Sequence, residues 1–184
     1  MVPPPAGYDS PFGKHFGYYT TWRQGLWTPN QMDTTWKVLA MNEDGGPIRM
    51  LADEAANNCA PAELPDGRIV YISDRRGGVL RCGGPNKSGV LHTMKPDGSD
   101  VTAISVAEIS EYRPSVTHDG RIIYTRWDYV DRHAVFYEQL WTTRPDGSGV
   151  TAFYGNNTFN PVGVWEARPV PGSHRIMATA AAHQ

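Results

Sequence analysis

The chain repeats a short pattern at a nearly fixed spacing. Three similar runs, each opening with Arg-Ile, begin at Arg68, Arg121 and Arg175, so that each starts 53 or 54 residues after its predecessor. Short apolar runs also end three times in acidic-Gly turns, which read Asn-Glu-Asp-Gly at 42–45, Lys-Pro-Asp-Gly-Ser at 95–99 and Arg-Pro-Asp-Gly-Ser at 144–148. A fixed period built from strand-like segments and Asp-Gly turns is typical of stacked β-units, most commonly the blades of a β-propeller.

The second unit shows how one blade is built. Its segment 59–64 leads into the turn Pro-Asp-Gly at 65–67, and residues 68–73 have the β-branched and aromatic content of a buried strand. Proline presets φ at the first central turn position and glycine supplies positive φ, so the two segments are predicted to form a hairpin. A second hairpin, from 90–94 and 101–104, completes a four-stranded antiparallel blade. The third unit repeats this plan.

These patterns predict an all-β chain, a partial β-propeller with about three to four blade units. Residues 36–184 are predicted to form blades with a repeat of about 53 residues, and residues 1–35 an irregular N-terminal segment in which 17–22 can contribute to half a blade. The run of helix formers at 50–56 is too short to be stable alone. A closed ring needs about four to eight blades, so the open edges are predicted to require further blades, another copy or another chain.

The charge balance argues against several classes of partner. The chain has 17 basic and 19 acidic residues, and no basic stretch resembles a nucleic-acid footprint. No apolar run approaches the roughly 20 residues that span a bilayer. The opening Met-Val-Pro-Pro-Pro lacks the plan of an export signal. We therefore expect neither nucleic acid as a partner nor a membrane span.

The chain has two cysteines, Cys59 and Cys82, which fall within one repeat. They can be two half-buried thiols, since free cysteine often packs as a small apolar residue, or a disulfide if the protein is exported. Neither Cys-x-x-Cys nor Cys-x-x-Cys-His occurs, so the sequence encodes no zinc knuckle and no covalent haem attachment.

The order Pro-Asp-Gly-Ser, variable polar stretch, Pro-Ser-Val and Asp-Gly-Arg-Ile resembles the repeats of TolB-like propellers over roughly residues 36–180. A narrower likeness is carried by 119–132, by Tyr-Gly-Asn-Asn at 154–157 and by Ala-Arg-Pro-Val-Pro-Gly-Ser-His at 167–174. These segments resemble the middle-domain propeller of the hydrazine synthase alpha subunit and of related bacterial proteins.

This resemblance implies a periplasmic or exported location, and it limits what can be said about cofactors. Hydrazine synthase performs its redox chemistry on c-type haems, and the haem-attachment motif is missing from this chain. Haem catalysis is therefore not carried over, and we predict no haem here. Relatives tend to end the last matching strand with a small residue and two histidines, whereas residues 181–184 read Ala-Ala-His-Gln.

Charged and aromatic side chains concentrate after the second strand of the third unit. The candidate ligand-binding residues are Arg126, Trp127, Asp128, Asp131, Arg132 and His133. Loops held by a rigid scaffold commonly carry binding groups; the carboxylates can orient a polar ligand or hold a cation, and a guanidinium can grip a carboxylate or phosphate. The alternative is structural, with an Arg-Asp pair locking adjacent blades and Trp127 filling the gap between sheets.

Three residues have side chains of the kind that transition metals prefer. His183, Cys59 and His118 match no established zinc spacing, and His183 is the best single candidate ligand. A transition metal therefore stays an open cofactor prediction. No Gly-x-Ser-x-Gly elbow and no phosphate loop is present.

The sequence thus predicts a propeller scaffold or binding module of a larger bacterial protein, which presents loops to a small polar ligand or to another protein. The alternative is part of an enzyme, an oxidoreductase or hydrolase, whose site forms at the mouth of the completed ring with Asp128, Arg132 and His183 as polar groups. A third interpretation is an assembly piece whose role needs only the open blade edges.

Overall fold

The computed structural model describes residues 16–24, 34–42, 44–52, 56–78, 87–130, 137–155, 158 and 160–182. Within these ranges every regular element is a β-strand, which confirms the predicted all-β class. The strands in chain order are β1 Phe16–Gln24, β2 Thr34–Asn42, β3 Arg49–Met50, β4 Asn58–Glu63, β5 Ile69–Ser73, β6 Val90–Met94, β7 Thr102–Ala103, β8 Glu111–Val116, β9 Ile122–Trp127, β10 Glu138–Thr143, β11 Thr151–Tyr154, β12 Gly163–Pro169 and β13 Ile176–Ala181.

The strands assemble into four successive blades. Blade 2 is the antiparallel sheet β4-β5-β6-β7, and blade 3 repeats this order with β8-β9-β10-β11. Blade 1 consists of β1-β2-β3, and blade 4 is the hairpin β12-β13, which joins blade 3 through one parallel pair, Glu138 and Gly163. The predicted partial β-propeller is confirmed, and the ring is open within the described residues.

Alternating side chains of the second strands of blades 2 and 3, β5 and β9, bury apolar surface against opposite neighbours. In β5, Ile69 and Tyr71 belong to the buried cluster shared with blade 1, whereas Val70 and Ile72 belong to the cluster shared with blade 3. A third cluster joins blades 3 and 4 around Ile123. Because both faces of β5 are covered, the strand reads as a continuous apolar run instead of an alternating one.

The Asp-Gly turns share one hydrogen-bonding pattern. In the turn at 64–68, the Gly67 N–H donates to the Leu64 carbonyl at 2.9 Å and the Leu64 N–H donates to the Arg68 carbonyl at 2.8 Å. Equivalent pairs of bonds close the turns at 95–99, 117–121 and 144–148. This is the pattern of a type I turn followed by a glycine in the left-handed region. The positive φ of the glycine was predicted from the sequence and is confirmed.

The turns and the longer connections lie at opposite ends of the blades. Since neighbouring strands are antiparallel, the turns from the first to the second strand and from the third to the fourth lie at one end, here called the turn face. The connections from the second to the third strand, and from each blade to the next, lie at the other end, here called the loop face. The predicted ligand-binding segment follows β9 and therefore belongs to the loop face.

In blades 2 and 3 the turn between the third and fourth strands lies against the backbone of the preceding blade. A Cβ atom at Gly98 would lie 2.2 Å from the carbonyl oxygen of Leu51, which follows β3 of blade 1. A Cβ atom at Gly147 would lie 2.2 Å from the carbonyl oxygen of Ile104, which follows β7 of blade 2. At both positions backbone touches backbone, so no side chain can be accommodated without moving one blade relative to the next.

This contact gives a matched pair of substitutions. Gly147 and Gly67 both have φ of +83°, but a Cβ atom at Gly67 would meet nothing within 4 Å. We expect Gly67→Ala to cost only the strain of a left-handed alanine, about 1–2 kcal/mol of unfolding free energy, and Gly147→Ala to cost a further 1–3 kcal/mol or so through the backbone clash. Urea unfolding of the two variants measures the difference. Equal losses of unfolding free energy in the two variants would show that the turn containing Gly147 does not contact the backbone of blade 2.

Candidate functional site

The described part of the predicted ligand-binding segment forms a closed ion pair. The Arg126 Nε donates to the Asp128 Oδ1 at 2.9 Å, and the Asp128 carboxylate is mostly buried. The Arg126 guanidinium stacks on Trp141 of the adjacent strand β10, 4.6 Å from the ring centroid. All three residues belong to blade 3, so this pair links a strand to the loop that follows it and does not join adjacent blades. An inter-blade pair formed by Asp131 or Arg132, which lie outside the described residues, stays a prediction.

The aromatic side chains of the same segment pack together. The Trp127 and Tyr129 rings lie 5.7 Å apart between centroids, at an interplanar angle of 58°. The Asp128 N–H donates to the Tyr137 carbonyl at 2.7 Å, which holds the start of the loop against its end. The charges of Arg126 and Asp128 are directed at each other, and a ligand-binding role of Arg126, Trp127 and Asp128 stays a prediction.

Several predicted residues lie outside the described ranges. These are Asp131, Arg132, His133, His183 and Cys82. The roles of these residues in ligand or metal binding remain predictions. The alternative of a disulfide at Cys59 is not what the structure has, because Cys59 is a free thiol.

Two other candidate metal ligands are described, and each has an ordinary structural environment. The His118 Nε2 lies 3.0 Å from the Val170 carbonyl oxygen. Cys59 is a half-buried free thiol, and burial raises its pKa to about 11. No group of three or more His, Cys, Asp or Glu side chains converges in the described part of the chain, and no helix found there is long and apolar enough to cross a membrane.

A feature that the sequence analysis missed lies on the first strands of blades 2, 3 and 4. These are the inner strands, since β8 contacts both β4 and β12. Each is interrupted by a β-bulge at the same repeat position, and one residue of each bulge has positive φ: Ala60 at 52°, Arg113 at 48° and Glu166 at 55°. None is glycine, so each costs about 1–2 kcal/mol of backbone strain. The same strain recurs three times at a spacing of 53 residues.

The bulges bring opposite charges together on the inner surface. The Arg113 Nε lies 3.4 Å from the Glu166 Oε1, and both side chains are more than half exposed. Next to this pair is a cavity of about 240 Å³ between blades 3 and 4, lined by Tyr112, Arg113, Glu138, Trp165, Glu166 and Thr179. A second cavity of about 340 Å³ lies between blades 2 and 3, and Arg113 also borders it. Arg113 thus borders both cavities. The region of the inner surface that contains these two cavities is here called the inner mouth.

One wall of the first cavity is fixed in position. The Trp165 Nε1 donates to the Glu138 Oε2, which links blade 4 to blade 3. The Trp165 ring lies over Gly163, where a Cβ atom would approach the ring to 1.9 Å. Blade 4 is also held by the Ser115 Oγ, which donates to the carbonyl of Ala167 in the bulge at 2.7 Å. The cavity is therefore bounded by residues that other contacts orient.

A buried carboxyl group, that of Glu111, lies beside the second cavity of the inner mouth. Glu111 is 1% exposed, and it accepts hydrogen bonds from the Leu91 N–H at 2.9 Å and from the Ser105 Oγ at 2.7 Å. Burial raises the pKa of Glu111, although its hydrogen bonds and the positive charges of Arg126 and Arg76 act in the opposite direction. The residue joins the start of β8 to β6 of the preceding blade.

The raised pKa of Glu111 predicts a pH dependence. The folded chain holds this proton more tightly than the unfolded chain, so its contribution to the unfolding free energy is present below the ordinary pKa of 4.5 and is lost as pH rises through the folded pKa. We expect the unfolding free energy of Glu111→Gln to fall less than that of the wild type between about pH 4.5 and pH 7. Urea unfolding at a series of pH values tests this, and parallel curves would contradict it.

Comparison with known proteins supports the fold. No family model and no curated protein matches this sequence. Among solved structures, a protein assigned as TolB from Agrobacterium tumefaciens is similar, with a TM-score of 0.61 and 16% identity over 92% of this chain and 55% of that one. The tricorn protease aligns with a TM-score of 0.47 and 17% identity over 66% of this chain and 10% of that one. The chain spans about half the length of the TolB structure, and at this identity the likeness shows the fold alone: a TolB-like partial β-propeller.

Proposed function

We propose that this chain is a binding module of a larger β-propeller protein, and that its inner mouth holds a small ligand that carries both a carboxylate and an ammonium group. The observation that carries the proposal is the pair Arg113 and Glu166, placed by two strained bulges beside a cavity with aromatic walls. Strained non-glycine residues are enriched at functional sites, where the surrounding structure compensates for their cost.

The charges of the pair are available to a ligand at low cost. An exposed ion pair contributes only about 0–1 kcal/mol, so it can separate. The Arg113 guanidinium can then accept a ligand carboxylate in the two-pronged geometry that guanidinium groups favour, and Glu166 can take the ammonium group. Tyr112 and Trp165 supply apolar wall for the rest of the ligand, as is usual for small-molecule sites.

The recurrence of the bulge in three blades also supports a ligand-binding role for the inner mouth. The bulged backbone is constant, while the residue that it carries changes from Ala60 to Arg113 to Glu166. A constant backbone with a variable side chain is how a repeat protein adapts one surface to a ligand without altering its stacking. The bulge position is thus the place where blades differ in chemistry.

The exposed face of blade 4 supports the proposal that this chain belongs to a larger propeller protein. Met177 occupies the repeat position of Val70 and Ile123, since these residues lie opposite Arg168, Ala62 and Ser115 in the three hairpins. Val70 and Ile123 are 0% exposed, whereas Met177 is 65% exposed. A side chain that two blades bury completely is expected to be covered in the assembled protein by a further blade.

The narrower likeness to the hydrazine synthase alpha middle domain is also part of the proposal. The described residues of its segments include β9, the end of β11 and the end of β12. The likeness implies export, so we expect the parent protein in the periplasmic fraction of the cells that make it. Cell fractionation with an antibody against the chain tests this, and a cytoplasmic location would contradict the likeness.

Ligand binding is tested by calorimetric titration with three related probes. L-leucine carries both charges and an apolar side chain, L-leucinamide lacks the carboxylate, and N-acetyl-L-leucine lacks the ammonium group. We expect leucine to bind and each analogue to bind about tenfold more weakly or worse, because a hydrogen bond to a charged group contributes about 1.5–3 kcal/mol. Arg113→Gln is expected to abolish the preference for leucine over leucinamide, and Glu166→Gln the preference over N-acetyl-leucine.

Another exposed ion pair of the chain provides the control. The Lys95 Nζ lies 3.4 Å from the Asp100 Oδ2, and Asp100 also has positive φ, but the pair lies on the turn face. Lys95→Gln should leave the binding of all three probes unchanged. Equal effects of Lys95→Gln and Arg113→Gln, or equal binding of the three probes, would refute the proposed ligand class.

A further inference from the structure

A third cavity of the inner surface lies on the turn-face side of the bulges, away from the inner mouth. It has a volume of about 460 Å³ and is lined by the ends of the inner strands β4, β8 and β12, at residues 61–63, 114–116 and 168–169, together with His118. We call it the turn-side cavity. Its volume falls within the range of about 300–1,000 Å³ that is usual for small-molecule sites.

Two charged side chains line this cavity at repeat positions that are otherwise small or apolar. They are Arg168 at the end of β12 and Glu63 at the end of β4. Counted at the spacing of 53 residues, the equivalent positions of the other inner strands hold Ala62 and Ser115 in place of Arg168, and Val116 and Pro169 in place of Glu63. Stacking of the blades therefore does not require a charge at either position.

The guanidinium of Arg168 is partly withdrawn from water. Its side chain is half-buried, and its Nη1 donates to the carbonyl oxygens of Pro114 and Ala167, both at the long distance of 3.4 Å. Burial lowers the pKa of Arg168; the charge of Glu166 acts in the opposite direction and that of Arg113 in the same direction as burial. A guanidinium that has lost part of its hydration gains from a carboxylate placed beside it in the cavity.

The carboxylate of Glu63 lies on a different blade and is exposed. Glu63 belongs to blade 2 and Arg168 to blade 4, and the inner strand of blade 3 lies between them. Over the ranges that the structure describes, Glu63 makes no ion pair with Arg168 or with any other residue. The inner mouth is different, because Arg113 and Glu166 are only 3.4 Å apart there.

The wall between the two charges is mostly apolar. Pro61, Pro114 and Pro169 line it together with Val116. Proline has no backbone N–H to offer a ligand, so the proline rings present methylene surface to the cavity. Such a wall suits an apolar carbon chain.

We propose that the turn-side cavity binds a small ω-amino carboxylate, a ligand whose carboxylate and ammonium groups are separated by a chain of several methylene groups. The carboxylate binds the Arg168 guanidinium, the chain lies along the prolines, and the ammonium group is directed toward Glu63. This site is independent of the one proposed for the inner mouth, where adjacent charges fit a ligand that carries both groups close together.

Calorimetric titration with four probes tests the ligand class. We expect 6-aminohexanoate to bind most tightly. Hexylamine, which lacks the carboxylate, should bind about tenfold more weakly or worse, because the half-buried Arg168 then has no ionic partner in the ligand. Hexanoate, which lacks the ammonium group, should bind about two- to fivefold more weakly, because a pair with an exposed carboxylate contributes less. The shorter 3-aminopropanoate should lose the contribution of one end.

Two variants identify the residues. Arg168→Gln should lose the binding of 6-aminohexanoate and hexanoate alike. Glu63→Gln alters only an exposed group, so it should fold as the wild type does, and it should bind 6-aminohexanoate and hexanoate equally. Asp44→Asn, which removes an exposed carboxylate in the turn after β2 and outside the cavity, serves as the matched control and should leave all four affinities unchanged.

Equal binding of the four probes, or a preference for 6-aminohexanoate over hexanoate that survives in Glu63→Gln, would overturn the proposal. Loss of that preference in Glu166→Gln instead would place the ligand in the inner mouth and would overturn it as well. Binding of leucine, which tests the inner mouth, should be unchanged by Glu63→Gln, so each of the two sites can fail without the other.

Discussion

Stacking of one blade on the next depends on a glycine that lies against a backbone carbonyl of the preceding blade. At Gly98 and Gly147 the approach leaves no room for a side chain, and both residues have positive φ. The turn therefore satisfies two requirements with one residue, the left-handed conformation of the hairpin and the contact with the neighbour. The same pairs of blades also share the buried apolar clusters on the two faces of β5.

On the inner surface the backbone is strained, and nearby contacts offset part of the strain. Three bulges hold Ala60, Arg113 and Glu166 in a strained conformation, although a regular strand would avoid the strain. The hydrogen bond from Ser115 to Ala167 and the seating of Trp165 over Gly163 offset part of this cost in blade 4. As a result, blades 2, 3 and 4 each place one bulge residue at the inner mouth, separate from the residues that stack the blades.

The fold was predictable from the sequence because its determinants are local. Pro-Asp-Gly encodes the turn, and runs such as Ile69–Ser73 encode a strand that is covered on both faces. The bulges were not predicted, because no residue type marks a left-handed alanine, arginine or glutamate; Pro61 and Pro114 within strands were the available signal, since proline in a strand is confined to edges and bulges. The pairing of Arg126 with Asp128 inside one blade depends on rotamers that spacing does not define.

The central claim is that each sheet is protected by the next one, and that among the described residues the second edge of β13 in blade 4 has no paired strand. Amide hydrogen exchange measures it directly, strand by strand. The amides of β5 and β9 should exchange only through global unfolding, whereas those of β13 that point to its open edge should exchange at least about tenfold faster. Exchange in β13 as slow as in β9, in the monomeric chain, would contradict the account.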